Sequence, residues 1–173
     1  MNITLICCLF LLQELPNLPD VQDADPTVVH NKKILETFRA KVVSVKDGDS
    51  IVVLNKNKEQ VEIRMDSIDT PEFGQAFGRN AKKAVSESIF DKTVTVQKVG
   101  TDRYKRTLAF IQIDGKDLAT AMVKNGFAWE YSRYSKSDSL GKLQAEAKKK
   151  RVGLWADAEP TPPWLFRKSK KKK

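Results

Sequence analysis

Residues 37–65 read TFRAKVVSVKDGDSIVVLNKNKEQVEIRM, and this stretch decides the fold. Thr37 to Val45 is rich in β-branched residues in rough alternation, the period of a strand. Asp47-Gly48 is a turn signal. Ser50 to Leu54 reads as a second strand, Asn55 to Lys58 as a polar hairpin tip and Val61 to Met65 as a third strand. Two more strands follow at a distance, Thr93 to Val99 and Thr107 to Ile113, the latter ending at an Asp114-Gly115 turn. Between them Phe77, Ala81, Ala84, Val85 and Ile89 fall on one helical face. Asp117 to Asn125 is a second short helix, with Asp117 as N-cap and Gly126 as its stop, and Leu140 to Arg151 is a third, ended by Gly153. Five strands with helices inserted between and after them predict an α+β protein, with a barrel or a sandwich as its core.

The composition narrows the chemistry. A chain of 173 residues suggests one domain with a real core. The formal charge of +9 favours a polyanionic partner. Six of the positives, Arg167, Lys168 and Lys170 to Lys173, lie at the C-terminus, leaving +3 for the rest. Residues 167–173 are therefore expected to be a basic tail, with Ser169 to Lys173 a solvated charge run. Both cysteines, Cys7 and Cys8, are N-terminal, so the body has neither an internal disulfide nor a thiolate metal site. His30, the sole histidine, precedes the structured region, which argues against histidine-based catalysis and His-ligated zinc.

At the N-terminus, Ile3 to Leu12 is apolar apart from Thr4 and too short to span a bilayer as a helix. Polar, Pro-containing sequence follows, and Pro16 to Lys33 reads as a linker. Residues 1–35 are expected to be a secretory leader and linker. The expected location is secreted, periplasmic or cell-surface, with a cytoplasmic protein as the alternative. Residues 36–166 form the expected domain. Near its end, Leu154 to Phe166 is rich in Pro and Trp and is expected to lie across the body as a strap, burying Trp155 and Trp164.

Three charged clusters carry the chemistry: Lys46-Asp47-Gly48-Asp49-Ser50, Arg64-Met65-Asp66-Ser67-Ile68-Asp69-Thr70-Pro71-Glu72, and Thr101-Asp102-Arg103-Tyr104-Lys105-Arg106. Asp49 follows a tight turn and opens a strand. Asp69 and Thr70 follow the third strand, where Pro71 keeps the chain extended. Two such carboxylates with a backbone carbonyl make an oxygen-only site, suited to Ca²⁺ and poor for zinc. Taken singly, each Asp is better explained as a turn or cap residue. The arginines offer planar forks that match two phosphate oxygens at once.

The order and setting of these clusters resemble the staphylococcal (micrococcal, thermonuclease-type) nuclease family, from about Phe38 to Trp155. The resemblance implies a Greek-key barrel of the oligonucleotide/oligosaccharide-binding (OB) type with about three packed helices. It implies Ca²⁺-dependent hydrolysis of DNA and RNA, leaving 3′-phosphate ends. In that family the metal is held by the Asp of an Asp-Gly-Asp-Thr/Ser setting, here Asp49, and by the Asp of an Asp-Thr-Pro-Glu setting, here Asp69, with Thr70 beside it. An arginine five residues before the second metal Asp contacts the phosphate; Arg64 has that spacing. The family's Asp-Lys-Tyr-Gly-Arg becomes Asp102-Arg103-Tyr104-Lys105-Arg106, making Arg106 the second phosphate arginine and Arg103 and Tyr104 substrate contacts. Glu72 matches the glutamate that positions or deprotonates the attacking water. Tyr131 and Tyr134 lie near the base-stacking tyrosines.

Two departures stand out. Ser50 replaces a frequent threonine, and Lys105 replaces a common glycine. Either Lys105 is strained at positive φ, or the loop has another shape and Lys105 adds a phosphate contact. The same barrel also occurs as non-catalytic binding modules in Tudor-containing proteins, which typically lose the acidic and arginine set. This chain keeps Asp49, Arg64, Asp69, Glu72 and Arg106, which favours the enzyme. A monomer without a stable protein partner or transmembrane span is expected. A basic protein held to a membrane or wall by Lys170 to Lys173 is a further reading, compatible with the first.

Overall fold

The computed structural model describes residues 32–135 and 137–171. The leader reading and most of the linker reading lie outside the described residues. Three long strands open the domain: β1 (Glu36–Val45), β2 (Ser50–Leu54) and β3 (Gln60–Met65), followed by the two-residue β4 (Ile68–Asp69). Helix α1 (Gly78–Ile89) precedes β5 (Thr93–Thr101) and β6 (Thr107–Ile113). Then come β7 (Lys116–Asp117), α2 (Leu118–Lys124), β8 (Trp129–Glu130), α3 (Asp138–Lys149), a 3-10 turn at Gly153–Ala156 and α4 (Pro163–Lys170).

Strand pairing closes the sheet on itself. β1 is antiparallel to β2 and to β5, β2 to β3 and β5 to β6. β3 then meets β6 in parallel, Ile63 opposite Thr107. Five strands in this circuit, with a helix between the third and fourth, form the OB barrel, which leaves no long open edge among these strands. The alternation that marks the strands also fills the barrel: Val42, Ile51, Val53, Ile63, Val94, Val96 and Ile111 are buried. Helix α1 presents Ala81, Ala84, Val85 and Ile89 to that core, the face its periodicity predicts.

The second helix is capped as its sequence predicts, with Asp117 Oδ1 accepting from the Thr120 N–H and hydroxyl, each at 2.7 Å. Gly126 sits at φ +67°, and a Cβ there would meet the Val152 carbonyl oxygen at 2.2 Å, so the α2 stop is also where the segment after α3 packs closely.

The C-terminus differs from its expectation. Trp155 is buried as predicted, but Trp164 is only half-buried. The second half of the strap is not extended; Pro163 starts α4, an eight-residue helix reaching Lys170. Arg167 therefore belongs to a folded helix rather than a free basic tail. Among the described residues no helix is long and apolar enough to cross a membrane.

Candidate active site

The β1–β2 turn places Asp49. The Asp49 N–H donates to Asp47 Oδ1 at 3.0 Å, and the Lys46 N–H closes the turn on the Ser50 carbonyl at 2.8 Å. Gly48 lets this turn press against its neighbours: a Cβ there would lie 2.8 Å from Thr70 Oγ1 and 2.9 Å from Ala81 Cβ. Asp49 is only 5 % exposed. Its Oδ2 accepts from the Thr70 N–H at 2.9 Å and from the Thr70 hydroxyl at 3.1 Å, and its Oδ1 accepts from Ser50 Oγ at 3.1 Å. The Thr70 side chain thus braces Asp49 across the rim.

Arg64 lies opposite Ser50 in the β2–β3 ladder, which brings its side chain to the same rim. Its Nη2 is 3.0 Å from Asp69 Oδ1 and 3.1 Å from Asp49 Oδ2. Its Nη1 donates to the carbonyls of Met65 and, at 2.9 Å, Ile68. One guanidinium therefore joins both acidic residues and holds the backbone between them. Asp69 itself is clamped because β4 pairs with β8, Asp69 opposite Trp129.

Arg106 approaches from the other side. The Asp102 carboxylate organises its loop: Oδ1 accepts from the N–H groups of Tyr104 (2.8 Å) and Arg106 (2.9 Å), and Oδ2 accepts from Arg106 Nε at 2.8 Å. Arg106 Nη1 reaches Ser50 Oγ at 3.4 Å, and its guanidinium lies 5.7 Å from the centre of the Tyr104 ring. Burial raises the Asp102 pKa, but these hydrogen bonds and the Arg106 charge outweigh it and hold the carboxyl below its ordinary value. Asp102 is thus a positioning residue. The sequence reading quoted it without assigning a role, although an Asp bonding N–H groups two and four residues on is a turn signal.

Of the substrate residues predicted in this loop, Tyr104 is 64 % exposed, with Arg103 donating to its hydroxyl at 2.7 Å and stacking over its ring at 4.8 Å. Lys105 adopts φ +66°, so the strained alternative is the one the structure takes. Left-handed backbone costs a lysine about 1–2 kcal/mol, partly offset by the entropy a glycine loses on folding. Lys105→Gly is expected to raise stability by about 0.5–1 kcal/mol, seen as a higher urea midpoint at unchanged slope. A lower midpoint would show that the lysine makes a compensating contact.

Glu72 completes the rim. Its N–H donates to Gln75 Oε1 at 3.0 Å, and its carbonyl accepts from the Gln75 N–H at 2.9 Å. Glycine at 78 permits this tight loop, since a Cβ there would lie 2.1 Å from the Glu72 carbonyl oxygen. The sequence reading missed Arg167. From α4 its Nη1 donates to Asp69 Oδ1 (3.0 Å) and to Glu72 Oε1, and its Nη2 donates to Asp69 Oδ2 (2.7 Å). The aromatic pair predicted to stack on bases lies nearby: Tyr131 is stacked on Trp164 at 5.5 Å and touches Tyr134, which is 51 % exposed.

Burial sets the titration of the rim carboxylates as much as their charged neighbours do. Burial pushes the Asp69 carboxyl above its ordinary value, helped by the charge of Asp49, against the hydrogen bonds of Arg167 and the charges of Arg64 and Arg167. Burial, and then the charge of Asp49, push Asp47 up to about 6. Arg167 is pushed above its ordinary value by its hydrogen bonds to Asp69.

Asp49, Arg64, Asp69, Thr70, Glu72 and Arg106 thus meet on one barrel rim in one connected polar network. A closed OB barrel carrying acidic residues and guanidinium forks at its mouth defines a class of protein equipped to act on phosphate esters. The profile of the family described as staphylococcal nuclease homologue matches residues 62–157. The chain is 38 % identical over 136 residues to an uncharacterized endonuclease of Haemophilus influenzae, covering 79 % of this chain and 76 % of that one. It is 41 % identical to an uncharacterized endonuclease of Escherichia coli O157:H7 (77 % and 87 % covered) and 35 % identical to a micrococcal nuclease of Shigella flexneri (78 % and 83 %). The chain belongs to the staphylococcal nuclease family, a family of hydrolases acting on nucleic acid.

Proposed function

We propose that the protein is a Ca²⁺-dependent nuclease that hydrolyses phosphodiester bonds of DNA and RNA and leaves 3′-phosphate ends. The observation that carries this reading is the gathering of Asp49, Arg64, Asp69, Glu72 and Arg106 on one rim: hydrogen bonds of 2.7–3.4 Å link the others through Ser50, Thr70 and Arg167, and Arg167 also donates to Glu72. A non-catalytic module of the same fold has no need of that set.

The donor set fits a hard cation in kind. Asp49 and Asp69 supply carboxylate oxygens that share Arg64 Nη2, and Thr70, whose N–H and hydroxyl bond Asp49, would add its carbonyl oxygen. Among the described residues no group of three or more His, Cys, Asp or Glu side chains forms a ready-made ligand set, so water would complete the shell. When bound, Ca²⁺ would supply Lewis-acid stabilisation of the phosphorane charge.

The chain's own groups do the rest. Arg106, fixed by Asp102 through Nε, offers its Nη2 edge to a phosphate oxygen. Arg64 holds the carboxylates in register and lies at the same rim. Glu72, in this reading, accepts the proton of the attacking water, and Tyr104, Tyr131 and Tyr134 provide ring faces for neighbouring nucleotides. The protein is read as a monomer, secreted or surface-located, in keeping with the leader reading.

Linear DNA digested with and without Ca²⁺ tests this. Activity should vanish in chelator and return with Ca²⁺, while Asp49→Ala should abolish the return. The products should resist 3′ extension by a polymerase until a phosphatase removes the terminal phosphate. Full activity in excess chelator would reject the cation, and binding without turnover would favour the non-catalytic module.

A further inference from the structure

Helix α4 holds its arginine in the middle of the site. The anchoring is threefold. Trp164, one residue into the helix, stacks on Tyr131 at 5.5 Å with planes 10° apart and meets Trp129 edge-on at 5.6 Å. Gln75, which fixes the Glu72 backbone, also donates from Nε2 to the Thr161 carbonyl just before the helix. Arg167 then spans both oxygens of Asp69 and reaches Glu72.

These are two carboxylates to which the proposed function gives other work. Asp69 is to hold a divalent cation, and Glu72 is to accept a proton from water. The Asp69 side chain is only 1 % exposed, and Arg167 covers its outward lone pairs with a two-pronged, charge-assisted contact. A divalent cation on the same oxygens would face a guanidinium within contact distance, and like charges so placed repel strongly at low local dielectric.

We propose that Arg167 is a built-in competitor for the divalent cation, so that α4 acts as an autoinhibitory latch over the Asp69–Glu72 face. The inference rests on reading Asp49 and Asp69 as the cation site. Cation binding then requires Arg167 to leave Asp69, and the apparent affinity falls by the fraction of molecules in which it has left. The latch also shields two acidic residues from each other while no metal is present.

Calcium titration calorimetry on the full chain, without nucleic acid, tests the proposal. Arg167→Ala should bind Ca²⁺ about ten-fold more tightly than the parent, the size expected if the latched state outweighs the open one about ten to one. Arg167→Gln, which keeps bulk and a hydrogen-bonding amide, should move in the same direction and carries the test if the alanine variant folds poorly. Thermal unfolding gives a second readout. The variants should melt at lower temperature than the parent in chelator, because Glu72 loses its counter-charge and Asp69 keeps only Arg64, and should gain more from added Ca²⁺. Equal or weaker Ca²⁺ affinity in the variants would overturn the latch while leaving the cation site standing. Absence of binding in parent and variants alike would overturn both.

Discussion

Arg64→Lys should lower kcat by on the order of 10²- to 10³-fold, with nucleic-acid affinity changed only a few-fold. The expectation comes from what one guanidinium does here. Its two terminal nitrogens serve Asp49, Asp69 and the carbonyls of Met65 and Ile68, and its side chain is 13 % exposed. A lysine brings the same charge but a single ammonium, which cannot bridge two carboxylates and two carbonyls from one position. The carboxylates should splay, and the rim loses the register that one planar guanidinium imposes on it. Single-turnover cleavage at saturating Ca²⁺ measures the effect, with near-ultraviolet circular dichroism on the same sample to show that the barrel persists. Unchanged turnover would remove Arg64 from the reaction.

Glu72→Gln should cost about 10²- to 10⁴-fold in kcat, the range associated with losing a general base. Among the acidic residues of the rim, Glu72 is the one with access to water: its side chain is 35 % exposed, against 7 % for Asp49 and 1 % for Asp69. Its backbone is fixed on both sides, by Pro71 and by the paired hydrogen bonds with Gln75. Glutamine keeps the shape and one acceptor but cannot take a proton. Ca²⁺ binding should persist, because Asp49 and Asp69 remain, and should tighten to the extent that Arg167 is held by Glu72. A mutant that cleaves as fast as the parent at matched Ca²⁺ would keep the enzyme and reject this residue as its base.

The strands were legible because they obey local rules, whereas their closure into a barrel is implied only by the family resemblance, the pattern alone leaving barrel or sandwich open. β-branched residues in rough alternation mark the strands from Thr37 to Met65, with the alternation broken by the register shift between Val42 and Ser44, and the Asp47-Gly48 and Asp114-Gly115 turns punctuate them. The Asp117 cap was legible for the same reason, since its partner Thr120 lies within one helical turn. The rim residues were legible only through motif settings; no local rule brings Arg64 and Arg106 to one mouth, which takes the parallel pairing of β3 with β6. The helix at the C-terminus was not legible as part of the site. Arg167, Lys168 and Lys170 look like a solvated charge run, and the partners of Arg167 lie 95 and 98 residues away. A local signal did exist: Pro162-Pro163-Trp164 is a proline-initiated helix start with an aromatic anchor in its first turn. The two-residue strands β4 and β8 escaped because their pairing is tertiary, and so did their role in clamping Asp69.

The three tryptophans of the chain, Trp129, Trp155 and Trp164, lie in one cluster, with ring centroids 4.3 Å apart for Trp129 and Trp155 and 5.6 Å for Trp129 and Trp164. The indole N–H groups of Trp129 and Trp155 are buried without a hydrogen-bond partner among the described residues, and Lys148 lies over both rings. Intrinsic emission from this protein is consequently a report on the seam between α3, β8 and α4, and is nearly blind to the barrel. Coupled indoles at these separations should also give an exciton couplet in the far-ultraviolet that fades when α4 lifts, even while the strands stay folded. The molecule thus carries its own optical gauge of C-terminal docking, one that needs no label.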